Sequence, residues 1–122
     1  MKYEKRIAVL QTSFAKREDT IAYLEERLPG ITINFITDSS LLPEIRAAGK
    51  PTQPVIRRMT LYAMAAEAMG ADLILNSCST VGEVADIYAK VVSVPVIKIT
   101  DRMAKQAASH TDSSHRATTL VS

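Results

Sequence analysis

Residues 73–86, LILNSCSTVGEVAD, decide the fold class. The stretch begins with apolar residues typical of a buried strand, and residues 76–80 form a polar exit from it. Apolar residues then recur with the spacing of a helix, at Val84, Ile87, Tyr88 and Val91. A strand that passes through a short turn into a helix is the building unit of parallel sheets.

Three other apolar runs predict further strands, at residues 7–10, 31–36 and 94–97. Because the run at residues 7–10 is continuously apolar, we expect a sheet that is covered on both sides. Pro95 suits a strand start or a sheet edge. The sequence therefore predicts an α/β fold, with a four-stranded parallel sheet and helices on both faces, of the flavodoxin or Rossmann-like kind.

Two more segments carry a helical pattern, a shorter one that stops at Pro29-Gly30 and a longer one that stops at Gly70. We expect the stripe of the longer helix to lie in the core rather than bind a cofactor. The stripe residues are Ile21, Leu24 and Leu28 in the first helix, and Val55, Met59, Tyr62, Ala66 and Met69 in the second.

The segment between the second strand and the long helix is predicted to be irregular. A turn at residues 38–40 is followed by the helix-breaking residues Pro43, Gly49, Pro51 and Pro54. Asp38 and Glu44 could line a site, although loop polarity and capping explain them equally well. For Arg57 and Arg58 we favour a solvated helix face over a role toward an acidic substrate, which only a family resemblance would imply.

The end of the chain departs from the alternation of strands and helices. Asp101 could cap a short last helix that contains Met103, Ala104 and Ala107. Residues 109–122 include seven Ser or Thr and both histidines, so we expect a disordered tail after an α/β lobe at residues 1–108. His110 and His115 could share a metal ion, but a solvated tail without a metal is the interpretation we favour.

Composition excludes several classes of protein. The chain has 122 residues, 47% hydrophobic and 23% charged, which is the balance of one globular domain. Its net charge of +2 is spread along the chain, and aromatic residues make up 5%, so we expect no nucleic-acid partner. Apolar runs are too short for a membrane span or signal peptide. A single cysteine excludes an internal disulfide and favours a cytoplasmic location.

Cys78 is the candidate catalytic residue because it lies between a predicted strand and a predicted helix. The unpaired N–H groups of a helix start would favour a thiolate there. The same groups, with the hydroxyls of Ser79 and Thr80, could hold a substrate carboxylate. A thiolate beside such a clamp can remove a proton from the adjoining carbon. The alternative is a cysteine that only packs in the core.

Other cysteine and nucleotide chemistries lack the residues that they need. A cysteine phosphatase loop would place an arginine six residues after the nucleophile, where this chain has Val84. A second cysteine for a redox pair is absent, and the two histidines fall in the predicted tail. Since no glycine-rich fingerprint follows the first strand, a dinucleotide site is not supported.

Around these residues the chain resembles the aspartate/glutamate racemase superfamily, which includes hydantoin racemases. The similarity covers residues from about 6 to 108, and NSCSTVGEVAD at residues 76–86 is its most specific part. The other stretches that carry it are residues 7–12, 38–45, 57–58, 70–75, 95–99 and 103–104.

This resemblance implies a cofactor-independent isomerase of amino-acid metabolism, acting on an amino acid or related small carboxylated compound. In such enzymes one cysteine removes the Cα proton and a second cysteine returns a proton to the opposite face. Cys78 would be the base of the first lobe. Its carboxylate-binding surroundings would be Asn76, Ser79 and Thr80, with Thr12 touching substrate from the neighbouring strand exit.

Family members are two-lobed and nearly twice this length, with the second cysteine in the second lobe. The resemblance therefore implies that this chain is a truncated first lobe, and we expect its racemase activity to be crippled. We keep two alternatives open, an inactive remnant and a partner-binding module. In either case we expect self-association through an exposed apolar face that the missing lobe would cover.

Overall fold

The computed structural model describes residues 5–15 and 17–98. Four strands form one sheet in the order β2-β1-β3-β4, and every pairing is parallel. The strands are β1 (Arg6–Gln11), β2 (Thr32–Thr37), β3 (Leu73–Asn76) and β4 (Val96–Lys98). This confirms the predicted four-stranded parallel sheet, and β4, which contains the residue after Pro95, lies at an edge as expected.

Helices connect the strands in chain order. They are α1 (Arg17–Arg27), α2 (Leu41–Ala48), α3 (Gln53–Ala68) and α4 (Gly82–Tyr88), and a 3-10 turn (Ser79–Val81) precedes α4. Helix α3 begins where the Thr52 side chain accepts a hydrogen bond from the Val55 N–H at 3.3 Å. That contact satisfies one of the N–H groups that the first turn of a helix leaves unpaired.

The sheet has helices on both faces, as predicted. Along β1, Ile7 and Val9 pack on one side with Tyr23 and Leu24 of α1. The alternate residues of β1 pack on the other side, in a larger cluster formed with α2, α3 and α4. Successive side chains of a strand point to opposite faces, so a continuously apolar strand fits burial on both sides.

The prediction of an irregular segment after residues 38–40 is wrong, because α2 forms there. Pro43 lies in the first turn of this helix, where the missing N–H would have no intrahelical partner. Gly49 ends α2 with a φ of +78°, and its N–H donates to the Ile45 carbonyl at 2.7 Å. The proline and glycine therefore delimit a helix instead of preventing one.

Three residues of the predicted helical stripes are exposed. Met69, at 40% exposure, follows the last residue of α3, and Val91, at 52%, lies beyond the end of α4. Ile87 is 44% exposed because it lies one position, about 100°, from the buried Tyr88. The buried faces of the two helices consist of Val55, Met59, Ala63 and Ala66 in α3, and Val84, Ala85 and Tyr88 in α4.

Two predictions fall on residues outside those that the structure describes. They are the short last helix capped by Asp101 and the tail at residues 109–122, which contains both histidines. The boundary between the lobe and the tail lies there too. Among the helices of the described part of the chain, none combines the length and the hydrophobicity needed to cross a membrane.

Candidate functional site

The candidate site lies where the four parallel strands end, along the edge of the sheet that their carboxyl ends form. The Ser77 N–H donates to the Leu10 carbonyl at 3.0 Å, so the exit of β3 continues alongside the end of β1. On the other side, the Asp38 N–H donates to the Gln11 carbonyl at 3.1 Å. The exit of β1 therefore lies between those of β2 and β3, which is where open parallel sheets place their ligands.

Cys78 lies two residues after the end of β3 and is partly exposed. Its side chain packs against the core cluster formed with α3 and α4. Its carbonyl accepts two hydrogen bonds, from the Val81 N–H at 3.2 Å and from Asn76 Nδ2 at 2.9 Å. The backbone at Cys78 is thus fixed from both sides of the turn.

Helix α4 starts later than the sequence suggested. The 3-10 turn at Ser79–Val81 stands between Cys78 and Gly82, the first residue of α4. A 3-10 turn is common as the opening of a helix and carries i to i+3 bonds such as the one from Val81 to Cys78. Cys78 therefore opens this turn, and the N-terminus of α4 lies a turn further along the chain.

Asn76 holds the Cys78 turn in place from the end of β3. The residue is fully buried, and its Oδ1 accepts a hydrogen bond from the Tyr88 hydroxyl at 2.9 Å. Burial raises the pKa of Tyr88, so its hydroxyl stays protonated as the donor. Asn76 thus links the strand, the turn and α4, while its contact with substrate stays a prediction.

The other predicted substrate-binding residues lie on the same edge. Thr12 follows β1 directly and is buried, at 5% exposure. Thr80 lies within the 3-10 turn and is exposed. The backbone of Ser79 begins that turn, and its side chain is outside what the structure describes. The edge therefore brings Thr12 and the Cys78 turn to neighbouring strand exits, and their substrate contacts stay predictions.

Gln11 belongs to the polar exit of β1 but is not among the residues predicted to bind substrate. It is the last residue of β1 and is 4% exposed, yet neither Nε2 nor Oε1 has a hydrogen-bond partner in the described part of the chain. Buried side-chain amides in folded proteins are nearly always paired. The sequence signal for Gln11 was its place in the alternation of side chains along β1. Gln11 occupies the same face of the strand as Ile7 and Val9, where an apolar residue is expected.

The exit of β2 carries a group of paired side chains that we call the Arg58 cluster. Arg58 lies between two carboxylates, with Nη2 2.9 Å from Glu44 Oε1 and Nε 3.4 Å from Asp38 Oδ2. The hydroxyl of Tyr62 also donates to Asp38, and that of Thr52 donates to Glu44 at 2.7 Å. The cluster comprises Asp38, Ser40, Glu44, Thr52, Arg58 and Tyr62.

Hydrogen bonds and charge set the protonation of this cluster. Partial burial would raise the pKa of Asp38, but hydrogen bonds from Ser40 and Tyr62 and the Arg58 guanidinium together lower it. The Thr52 hydrogen bond and Arg58 lower the pKa of Glu44. Both carboxylates therefore stay ionised at neutral pH, and Arg58 is already neutralised within the fold.

The two arginines at the start of α3 differ in environment. Arg57 is exposed, so the prediction of a solvated position is right for this residue. For Arg58 the prediction is wrong, because its side chain is 31% exposed and paired with Asp38 and Glu44. Formation of α2 brings Glu44 within reach of α3, and this helix was not expected from the sequence.

At the fourth strand exit, Lys98 forms an ion pair with Asp86 of α4 at 3.0 Å. Lys98 is in register with Asn76, so this pair borders the Cys78 turn on the β4 side. Within residues 5–15 and 17–98, no group of three or more His, Cys, Asp or Glu is placed to hold a metal ion. The described side chains of this edge are hydroxyls, amides, one thiol and paired charges.

Comparison of the chain with protein-family models, curated proteins and solved structures found no match. Function is therefore inferred from the residues of the site and from the resemblance noted in the sequence.

Proposed function

We propose that this protein is a cofactor-independent amino-acid isomerase of the aspartate/glutamate racemase type. In this proposal the Cys78 thiolate removes the Cα proton of a small carboxylated substrate. The observation that carries it is the position of Cys78, which is partly exposed in a fixed turn at the ligand-binding edge of a parallel sheet. A cysteine in such a place is better suited to chemistry than one in the middle of a strand.

The fixed turn is useful for this chemistry because a general base must be held within hydrogen-bond reach of the proton that it removes. Two hydrogen bonds to the Cys78 carbonyl, from Val81 and from Asn76, hold the backbone of the base. Asn76 is itself held by Tyr88. A base on such a support keeps its orientation while the substrate binds.

A carboxylate next to the reacting carbon would bind the hydroxyls of this edge. Loss of the Cα proton places negative charge on the carbon and on that carboxylate, and fixed donors lower the energy of this state. Thr12 and Thr80 supply hydroxyl groups from two adjacent strand exits. Ser79 is assigned the same role from the resemblance.

Inversion of a stereocentre needs a second base on the opposite face of the substrate. The sequence contains one cysteine, so the second base would come from another lobe or from a second polypeptide. Cys78 alone is able to exchange the Cα proton with solvent at one face. Exchange without inversion is therefore the activity that we expect from these 122 residues alone.

Proton NMR in D₂O tests the proposal directly. L-Aspartate, L-glutamate and L-alanine would be incubated with the protein, and loss of the Cα proton signal would be followed. Replacing Cys78 with Ser should slow exchange by roughly 10²- to 10⁴-fold, the usual contribution of a general base. The matched control is Ser39→Ala at the exit of β2, an exposed position that should keep the parent rate.

If Cys78→Ser exchanges as fast as the parent protein, Cys78 is not the base. If the parent itself exchanges none of the three amino acids, the isomerase proposal fails for this chain. Either result would favour the second candidate function, a partner-binding module without catalytic activity.

A specific observation favours this second candidate. Helix α3 exposes two large apolar side chains, Leu61 and Met64. Ile87 of α4 and Val91, which follows α4, are also exposed. Exposed apolar groups promote association with another protein or with a second copy of the same chain. Light scattering at high concentration separates the candidates. A monomer with Cys78-dependent exchange supports the enzyme, and an inactive oligomer supports the binding module.

A further inference from the structure

Strand β2 forms one outer edge of the sheet. Strand β1 pairs with one side of it, and no strand among residues 5–15 and 17–98 pairs with the other side. Its six residues run in unbroken register with β1, from Thr32 opposite Arg6 to Thr37 opposite Gln11, so no bulge disturbs the strand. The side chains of β2 are all exposed or partly exposed. The strand therefore presents a regular edge to its surroundings.

Alternate residues of β2 direct their backbone groups to opposite sides of the strand. The Thr32 N–H donates to the Lys5 carbonyl at 3.0 Å. The Asp38 N–H, just beyond the strand, donates to the Gln11 carbonyl at 3.1 Å, so the even-numbered residues face β1. The odd-numbered residues therefore direct their N–H and carbonyl groups away from β1. These residues are Ile33, Phe35 and Thr37.

The two outer edges of the sheet differ in their protection against pairing with another chain. Strand β4 has three residues, follows Pro95 and ends at Lys98. Short length, proline and lysine are devices by which natural edge strands avoid such pairing. Strand β2, with the sequence TINFIT, has six residues and contains no charged residue, proline or glycine. Its composition is therefore that of a segment that pairs readily with another strand.

The side chains of β2 suit pairing with a second copy of the same strand. In an antiparallel pair with its two-fold axis at Phe35, each Phe35 lies opposite Phe35 of the other copy, and Ile33 lies opposite Thr37. An aromatic pair is a favourable cross-strand contact, and no two like charges of the strands meet. The backbone groups of the three outward-facing residues in each copy would form about six hydrogen bonds.

We propose that β2 is a self-association edge, at which two copies of this chain pair antiparallel and join their sheets into one. The pairing uses the β2 edge of both copies, so the outer edges of the combined sheet are the two β4 strands. Because β4 is short and carries Pro95 and Lys98, association stops at a dimer. The inference does not depend on the proposed function, since β1 lies between β2 and the strand that leads to Cys78.

Sedimentation velocity of the parent protein measures the association itself. Pairing of one short strand buries less surface than the roughly 1,200–2,000 Å² of a stable interface, so the dimer should be weak. We expect a dissociation constant on the order of 100 μM. The protein should then be mainly a monomer at about 10 μM and mainly a dimer at about 1 mM.

Hydrogen exchange at single residues gives the readout that is specific to this edge. In the dimer the N–H groups of Ile33, Phe35 and Thr37 donate to the second copy. Their exchange in D₂O should slow roughly fourfold between these two concentrations, in proportion to the fall in the monomer fraction. The N–H groups of Asn34 and Ile36 face β1, so their exchange should not show this dependence.

The variant Thr37→Pro tests the edge by removing an outward-facing donor. Proline at this position takes a hydrogen bond from the dimer and none from the pairing of β2 with β1. We expect the dissociation constant to rise at least roughly 10-fold, because each dimer loses two hydrogen bonds. Circular dichroism would show that the variant is folded, and the exchange measurement on the parent decides if it is not.

The matched control is the same substitution at the other outer edge, Val96→Pro. The Ile74 N–H donates to the Pro95 carbonyl at 3.0 Å, so the next residue, Val96, directs its N–H away from β3. Val96→Pro should therefore dimerise like the parent protein.

Three outcomes would overturn the proposal. The first is a parent protein that stays monomeric at about 1 mM. The second is association that leaves the exchange of Ile33, Phe35 and Thr37 unchanged, which would assign it to another surface such as the exposed apolar residues of α3 and α4. The third is a folded Thr37→Pro that associates as strongly as the parent. Proton exchange that depends on Cys78 is judged separately and is not affected by any of these results.

Discussion

The exit of β2 is built in the opposite way from the neighbouring exits of β1 and β3. At the exit of β2, the carboxylates of Asp38 and Glu44 are met by an arginine and by hydroxyl groups of the protein itself. At the exits of β1 and β3, the Gln11 amide has no hydrogen-bond partner among the described residues and Cys78 is partly exposed. The difference separates polar groups that pair with one another within the fold from polar groups that do not.

The comparison also shows why charge alone is a poor guide to a site. Asp38 is a candidate for lining a site and Arg58 for assisting an acidic substrate, yet each neutralises the other within the fold. The uncharged Gln11 is not among the residues predicted to bind substrate, yet both polar atoms of its buried amide lack a hydrogen bond to any described residue. The state of pairing, which only the structure gives, distinguishes the two.

The largest expected effect concerns the Arg58 cluster at the exit of β2. Replacing Arg58 with Met leaves the 14%-exposed Asp38 side chain and Glu44 without their shared cation. We expect Arg58→Met to unfold at a clearly lower urea concentration than the parent protein, because two carboxylates lose the positive group that they share. Arg57→Met, the exposed neighbour, should change stability by less than about 0.5 kcal/mol. Equal losses in the two variants would show that the Arg58 cluster does not stabilise the fold.

A smaller effect is expected at Tyr88, which holds Asn76 and the Cys78 turn at the exit of β3. Tyr88→Phe removes the hydroxyl that donates to the fully buried Asn76 Oδ1, and it should cost about 1–2 kcal/mol. Because Asn76 also holds the Cys78 carbonyl, the thiol of the variant should react faster with a disulfide reagent such as DTNB. Tyr23→Phe, in the cluster on the opposite face, is the control. An unchanged reaction rate in Tyr88→Phe would show that the hydrogen bond from Tyr88 to Asn76 does not order the Cys78 turn.

The smallest effect is the response of the Arg58 cluster to acid. The folded-state pKa values of Asp38 and Glu44 lie below their ordinary values of 3.8 and 4.5. A lowered folded-state pKa contributes stability that is complete above the ordinary value and is lost as pH falls toward the folded value. Melting temperatures should therefore begin to fall below about pH 4.5.

This acid dependence should be reduced in Arg58→Met, because the two pKa values then move back toward their ordinary range. Arg57→Met should keep the parent profile. A parent profile that is flat between pH 5 and pH 3 would contradict the assigned shifts.

Much of the fold was predictable because it depends on local pattern. The four strands were visible as short runs rich in apolar residues, and Gly70 marked the end of the long helix, whereas Gly49 marks a helix end only once α2 is known. Helix α2 was missed because Pro43 was taken as a helix breaker, although prolines are tolerated in the first turn. Position within the helix, rather than residue type, decided the outcome.

The site was predictable to a smaller extent. Placement of Cys78, Thr12 and Thr80 at the strand exits follows from the strand pattern, and the structure agrees with that placement. The pairing of Arg58 depends on residues that are 14 and 20 positions away in the chain and meet only after α2 has formed. The 3-10 turn after Cys78 has no clear sequence signal, which is why α4 was expected to start earlier.

The central position of β1 has a consequence for how the chain folds. This strand is made first, but its neighbour β3 is formed by residues far along the chain, as the 66-residue separation of the Arg6–Asp72 hydrogen bond shows. Contacts between distant residues form slowly, since the chain between them must first be ordered. During synthesis, β1 therefore has one unpaired edge until β3 emerges, and in that interval the nascent chain is most prone to aggregation.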